Sequence, residues 1–473
     1  MLKEIVIRLR FYHWNIKTSI VRLCLPVLLA VCWLAPSVAK ADGFPSGWAH
    51  RVPITIDHTE IDADLTDFTV VLTDEMAAVL SSVDGPLDAD GARPSINGGG
   101  DVRFSADEAG TQRLAVDIRE WVTDNDPASG SLEVAVKVPT VSASTDTTIY
   151  LWWGKAGETQ PAPGDPFGQY AAYDAGTLAD VPCGCAVDRT GAITLTSVGG
   201  TQAGTAAGPN GLRATNSGGN GSGQSVEMLP DSAFDTTILT SRPWAVSALV
   251  RNDNPNSGTP QFIWSKIRET TKYQGVSVLY NVDVLSAALQ SSAGSPRIAL
   301  DVPLSMVAGQ WYHVVVAYDG SGLATGFRWY ANGTDLTATG IIDESGPVSD
   351  AAMIHGDSAL IGARNWLKDS QTQREWDGAI GPLGISTVAR SAAWIKAEHA
   401  NLLDPESLLS TGSPTDFVAI LEISSGDGQI ATVDTPVSTP PSVVVKGPND
   451  NPVAGVEVTF AVTSGNGSVS GAT

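Results

Sequence analysis

The stretch LEVAVKVP (132–139) sets Leu132, Val134, Val136 and Val138 against Glu133 and Lys137. Only an extended strand, whose side chains alternate between two faces, sends those four apolar residues the same way. The pattern predicts a sheet with one buried face and one wet face. Similar short runs recur between turn residues: FTVVL (68–72), DVRF (101–104), TTIYLWWG (147–154), PWAVSALV (243–250), QFIWSKI (261–267), GVSVLYNV (275–282) and QWYHVVVAYD (310–319). With 48 glycines and 28 prolines among 473 residues, the spacers favour turns over helices. The chain therefore reads as all-β, and it is too long for one core, so several β-sandwiches in series are expected. Asn332-Gly333, between two such runs, marks a tight hairpin. One helix is expected over ARSAAWIKAEHANLL, capped by Ser391, with Trp394, Ile395 and Leu402 on one face.

The first 41 residues differ from the rest. Lys3, Arg8, Arg10, Lys17 and Arg22 precede an apolar run from Leu23 to Leu34, and Ala39-Lys40-Ala41 has the small-x-small form of a cleavage site. The run is shorter than the ~20 residues of a membrane span. A cleaved signal peptide over 1–41 is expected, giving an exported, extracellular or cell-surface protein with no transmembrane span after cleavage.

The formal net charge of −23 repels phosphate backbones, so no nucleic-acid partner is expected. Beyond the leader only Cys183 and Cys185 remain. They could form a short-loop disulfide or stay as two thiols, and no spacing of Cys or His suits a zinc site. LDADG (87–91) begins like a calcium loop but lacks the later acidic ligands, and reads as a solvated turn. No metal ligand and no cofactor are assigned; calcium is the one cation left open by the acidic surface.

Three resemblances divide the chain. GWAHRVPITIDH, LTDF, GGGDVRFSADEAGTQRL, VKVPTVSASTDTTIYLWWG and PFGQY, over about 45–170, resemble a bacterial family called domain of unknown function 2341. That likeness implies an exported surface protein and no particular chemistry. GQWYHVVVAYDG (309–320), RWYANG (328–333), ALIGARNW (359–366), WDGAIGPLGIS (376–386) and ARSAAWIKAEHAN (389–401) resemble a laminin-G-like, concanavalin A-like jelly roll, a fold that serves both lectins and glucanases. GDGQ (426–429), NPVAGVEVTF (451–460) and SGNGSVSGA (464–472) resemble part of an invasin-like bacterial immunoglobulin-like domain. The expected organisation is a signal peptide (1–41), a small N-terminal sandwich (42–165), a jelly roll (166–412) and a partial immunoglobulin-like sandwich (413–473).

Two motifs bear on chemistry. In EWDGAIG (375–381), Glu375 and Asp377 stand two apart, as a sugar-cleaving pair on one strand would. The third carboxylate that jelly-roll glucanases carry on that strand is absent, so Trp376, Gly378 and Ile380 are read as an ordinary closing strand. No nucleophile elbow or phosphate loop is present either. No catalytic residue is assigned, and the chain leans away from being an enzyme. Trp366, after Arg364 and Asn365 and before the polar stretch KDSQTQRE, is the one tryptophan placed to meet a sugar from a loop. Trp366 and Arg364 are the candidate ligand-binding residues. The expected function is non-catalytic binding or adhesion, with a polysaccharide or cell-surface glycan as partner. The alternatives are a secreted polysaccharide-degrading glycoside hydrolase, with Glu269, Asp283 or Glu344 supplying the second carboxylate, and an envelope-associated structural protein.

Overall fold

A computed structural model describes residues 44–80, 85–89, 94–95, 98–124, 130–182, 187–198, 202–218, 224–268, 273–291, 296–364, 374–416, 420–432, 435–446, 458, 460–462 and 464. The leader expected over 1–41, Cys183, Cys185, Glu269 and Trp366 lie outside the described residues. The chain is nearly all β, as its alternating runs require. Residues 48–416 form one compact unit, and the described part of the second unit contains a hairpin of Ile420–Ser425 and Ser442–Lys446. No helix among the described residues is long and apolar enough to cross a membrane.

Within 48–416, two sandwiches are packed against each other. The N-terminal one sets the three-stranded sheet Leu65–Leu72, Ser131–Val141 and Val116–Val122 against a larger sheet built on His50–Ile56 and Thr147–Trp153. The chain returns to finish that larger sheet, since Leu409–Thr411 and Thr415–Asp416 both pair with His50–Ile56. The jelly roll consists of two eight-stranded sheets. One, hereafter the docked sheet, is centred on Asp377–Ser386, Trp244–Asn252 and Trp311–Tyr318. The other, the open sheet, runs through Arg297–Pro303, Val284–Gln290, Gly275–Tyr280 and Gln261–Ile267. Between them Trp244, Trp264, Trp329 and Trp376 are fully buried. Two of these rings find carbonyl acceptors, Trp329 donating to Leu300 O at 3.1 Å and Trp376 to Arg251 O at 3.0 Å, whereas Trp244 Nε1 is buried without a partner. The Asn332-Gly333 turn forms with both residues at positive φ, 48° and 73°, as the hairpin requires.

The wet face expected for LEVAVKVP is not wet. Glu133 and Ala135, on the side opposite Leu132 and Val134, are buried against the jelly roll. Ala135 and Val71 pack with Leu249 of the docked sheet, and Glu133 pairs with Arg119 at 2.7 Å. Alternation reports which residues share a face, but the cover over each face comes from the partner sandwich.

Helix Ala392–Leu403 wedges beside this seam. Ser391 caps it, its Oγ accepting from Trp394 N at 3.2 Å. The single apolar face expected of it becomes two. Ala393, Ala397 and Ala400, spaced i, i+4 and i+7, enter the core of the N-terminal sandwich, while Ile395 packs on Val315 and Tyr330 of the jelly roll. Trp394 meets Phe68 edge-on, and Leu402 joins Leu249. A helix held between two bodies must bury two stripes, and alanine allows the closer approach. Its Asn401 also caps a sheet edge, with Oδ1 accepting from Val71 N at 2.7 Å and Nδ2 donating to Val71 O at 2.8 Å. Val71 lies on the outer strand of the three-stranded sheet, whose edge groups have no strand partner there.

Removing that amide strands a buried N–H and a buried C=O. Asn401→Ala is expected to destabilise the 48–416 unit by about 2–6 kcal/mol, twice the cost of one unsatisfied group; chemical denaturation reads this directly, and a loss under about 0.5 kcal/mol would show that the edge is satisfied in another way.

Candidate functional site

The packing leaves the jelly roll one sheet face to offer. Among the described residues the N-terminal sandwich and the helix cover the outward face of the docked sheet, and a groove lies on the outward face of the open sheet. Side chains there come from alternate positions, because Val276, Val278, Leu285, Ala287, Leu289, Ile298 and Leu300 point into the core. Register then groups the outward residues in rows. Ser277 stands opposite Ala288, and Ala288 opposite Ala299. Beside them run Leu279, Ser286 and Asp301 on one side, and Gly275, Gln290 and Arg297 on the other. Ser277, Ala288 and Ala299 thus form a row of small side chains across three strands, about 10 Å at the usual strand spacing, flanked by Leu279 and Asp301 on one side and Gln290 and Arg297 on the other.

The trough is a groove of ≈ 300 Å³ whose lining includes Phe262, Tyr273, Ser277, Ser286, Ala288, Gln290, Arg297 and Arg374. Towards one end Asp343, paired with Ala299 in register, takes Arg297 in an ion pair. Asp301 Oδ1 accepts from Ser286 Oγ at 2.5 Å and lies 3.9 Å from Arg297. At the other end stand Phe262 and Tyr273, the latter 37% exposed and held at φ 71°. An exposed ring next to hydroxyl, amide and guanidinium groups suits a ligand with both apolar faces and many hydroxyls.

Arg364 lies beneath that aromatic end. Its guanidinium carbon is 5.6 Å from the ring centres of both Phe262 and Tyr273, and the residue is 2% exposed. Burial, with the nearby charge of Arg374, pulls its proton affinity below the ordinary arginine value, while a hydrogen bond with Tyr273 opposes this. Arg364 is placed to hold the two rings. Arg364 and Arg374, the residues flanking segment 365–373, both stand at this end of the groove.

The carboxylates of EWDGAIG are not presented as a pair. Glu375 is fully buried, whereas Asp377, at the start of Asp377–Ser386, is partly exposed. The backbone N–H of Asp377 donates to Gln261 Oε1 at 2.9 Å and its carbonyl accepts from Asp253 N at 2.8 Å. Trp376 and Ile380 enter the jelly-roll core. Glu344 Oε2 accepts from Ala324 N at 3.1 Å, and Asp283 sits at φ 61° in the turn before Val284–Gln290. Neither joins Glu375.

Among the described residues, Asp57, His58 and Asp146 place three metal-type ligand atoms within 4.8 Å of one another. Local bonds already employ them: Asp57 Oδ1 accepts from Thr59 N at 2.8 Å and Thr59 Oγ1 at 2.7 Å, and His58 Nδ1 lies 2.6 Å from Asp146 Oδ1. These bonds hold both carboxyls below the usual range. The cluster is accounted for as the cap of the short turn His58–Glu60.

Fold and groove together define a β-sandwich of the lectin and glucanase type with an open sheet face. Residues 220–396 match the Laminin_G_3 family, described as the concanavalin A-like lectin/glucanases superfamily, and this part of the chain is a concanavalin A-like jelly roll. No curated protein matches the chain. Solved structures similar to it include the botulinum neurotoxin serotype C1 binding domain, at 12% identity and TM-score 0.36, covering 48% of this chain and 52% of that one. Another is the binding domain of botulinum neurotoxin DC in complex with SialylT, at 12% identity and TM-score 0.35, with the same coverages. The chain spans about half the length of each, and likenesses of this grade carry no functional weight.

Sequence reading passed over Ser277, Ser286, Gln290 and Arg297. The available signal was VLSAALQ (284–290), where Leu285, Ala287 and Leu289 alternate with Ser286, Ala288 and Gln290.

Arg364→Ala removes a buried cation from between two rings. It is expected to cost about 1–3 kcal/mol of stability in the absence of any ligand; a variant as stable as the parent would mean that Arg364 does not hold the rings.

Proposed function

We propose that the chain is an exported surface protein whose jelly roll binds carbohydrate, without cleaving it, in the groove across its open sheet. The observation that carries this reading is the trough of Ser277 and Ala288 between Tyr273 and Arg297, on the jelly-roll sheet face left uncovered. Sugar rings stack on exposed aromatic faces and exchange hydrogen bonds with serine, glutamine and arginine side chains, so this lining is suited to a glycan. Trp366, outside the described residues, is the further ring proposed to stack on the ligand. A leader over 1–41 exports the chain. The N-terminal module, of the domain of unknown function 2341 type, covers the docked sheet, and the invasin-like portion after Asp416 serves as a stalk.

The test is retention of the chain from residue 42 on a broad glycan array, with calcium and with chelator, alongside an assay for released reducing sugar. Specific retention without release is expected. Ala288→Phe, which fills the trough from its floor, should abolish retention with little change in melting temperature, and Trp366→Ala should weaken it by roughly 1–3 kcal/mol, the scale of one stacking contact at a desolvated site. Retention unchanged in Ala288→Phe would move the site elsewhere. Release of sugar lost on Glu375→Gln would favour a hydrolase, and neither retention nor release would favour a structural envelope protein.

A further inference from the structure

A second polar constellation lies in the seam between the sandwiches. Glu398, on helix Ala392–Leu403, faces a cavity of ≈ 90 Å³ together with Ser247, Asp180, Arg119 and Arg390. Its Oε1 accepts from Ser247 Oγ at 3.0 Å, and its Oε2 lies 3.7 Å from His313 Nε2. Ser247 Oγ and His313 Nε2 are 2.8 Å apart. His313 is fully buried, its ring parallel to that of His399 with centres 5.9 Å apart, and its Nδ1 is buried without a hydrogen-bond partner. This is not a nucleophile triad. A triad needs the carboxylate on the far nitrogen of the imidazole, to orient it and to stabilise its cation; here the acid bonds to the serine.

We propose that Glu398, bonded to Ser247 beside His313, is a proton-operated latch, which holds the helix and the N-terminal sandwich on the jelly roll when protonated and loosens them when it ionises. Titratable groups face the cavity from several elements around it, among them Tyr173, whose Oη donates to Asp117 and accepts from Arg119. Strand Trp244–Asn252 supplies Ser247, Trp311–Tyr318 supplies His313, Thr177–Val181 supplies Asp180, and Val116–Val122 supplies Arg119. Arg390 and His399 come from the helix and its approach, whereas Asp377–Ser386 and Leu65–Leu72 contribute no titratable group to the cavity. The nearest cations are engaged: Arg390 with Asp174 at 2.6 Å and Arg119 with Glu133 and Asp180.

The direction follows from the surroundings. Burial pushes Glu398 up to about 7, with the Ser247 bond and Arg390 pulling down and Asp180 pushing up. A raised carboxyl contributes stability that is full below the ordinary value of 4.5 and lost as pH rises through about 7. Asp180, raised by burial to about 6, acts in the same sense over a lower range. His313 acts oppositely: burial lowers it to about 3 from 6.5, so its stability contribution is lost as pH falls below 6.5. Glu398 is therefore isolated by comparing variants.

In hydrogen exchange on the full chain, corrected for intrinsic rates, the ratio of opening of helix 392–403 in the parent to that in Glu398→Gln should rise about tenfold between pH 6 and pH 8, the factor set by a carboxyl moving from 4.5 to about 7 on docking. A constant ratio overturns the latch. Ser247→Ala keeps the carboxyl but deletes the bond that favours its ionised form, so the rise should continue to higher pH before it levels; should Glu398→Gln not fold, a profile in Ser247→Ala that levels where the parent's does overturns the assignment equally.

Discussion

Arg119 stands where the two sandwiches meet, and the rest of the unit is arranged around its charge. Its guanidinium is almost wholly buried, reaching Glu133 on its own sheet at 2.7 Å, Asp180 on the jelly roll at 2.5 Å and Tyr173 Oη at 3.0 Å. Asp117 lies 3.3 Å from its Nε, accepts a hydrogen bond from the Tyr173 phenol at 2.6 Å and is held on its other side by Arg189. A buried cation is tolerated only where carboxylates and hydrogen bonds replace its water. Those partners come from separate segments of the chain, so Arg119 is satisfied only when the N-terminal sheet and the jelly roll are in register. Apolar contacts among Val71, Ala135, Leu249 and Leu402 supply area; the ionic network selects one docking geometry among those that would bury it.

That geometry decides where binding can happen. A jelly roll has two outward sheet faces, and here one is used up by Arg119, the helix and the alanine stripe that enters the neighbouring core. Leu409–Thr411 and Thr415–Asp416 make the arrangement reciprocal, since the N-terminal sandwich takes strands that the chain supplies after the jelly roll. The open sheet is thereby set as the exposed face of a body wider than one sandwich, and its trough, lined by short side chains from three adjacent strands, is carried on a backbone ladder rather than on loops. A groove built on such a ladder keeps its shape, because moving Ser277 or Ala288 means breaking strand pairing.

Most strands could be read from the sequence because each carried strong contrast between large apolar and polar neighbours, as in LEVAVKVP and QWYHVVVAYD. Val284–Gln290 and Arg297–Pro303 were harder to read for the reason that shapes the trough: Ser286, Ala288 and Ala299 are small, and short side chains blur the alternation that marks a strand. The seam was out of reach. Arg119, Asp180 and Glu398 are separated by long stretches of chain, and nothing local distinguishes Glu133 in a buried network from a glutamate on a wet face. The helix was legible as a helix, with its Ser391 cap, but its alanines looked like filler until the second sandwich gave them something to touch.

The heptapeptide EWDGAIG shows how the same limit applies to chemistry. Two carboxylates two residues apart share a face only if both belong to the strand, and the strand begins at Asp377, after Trp376 has turned into the core. Glu375 precedes it and is enclosed, beyond the reach of a polysaccharide lying on the surface. Spacing alone gives a necessary condition for a cleaving pair, and position relative to the strand end is the further one. The groove satisfies a different requirement: its serines, Gln290 and Arg297 offer directional hydrogen bonds over an aromatic wall, while Asp301, the carboxylate flanking its small-residue row, already faces Ser286 and Arg297.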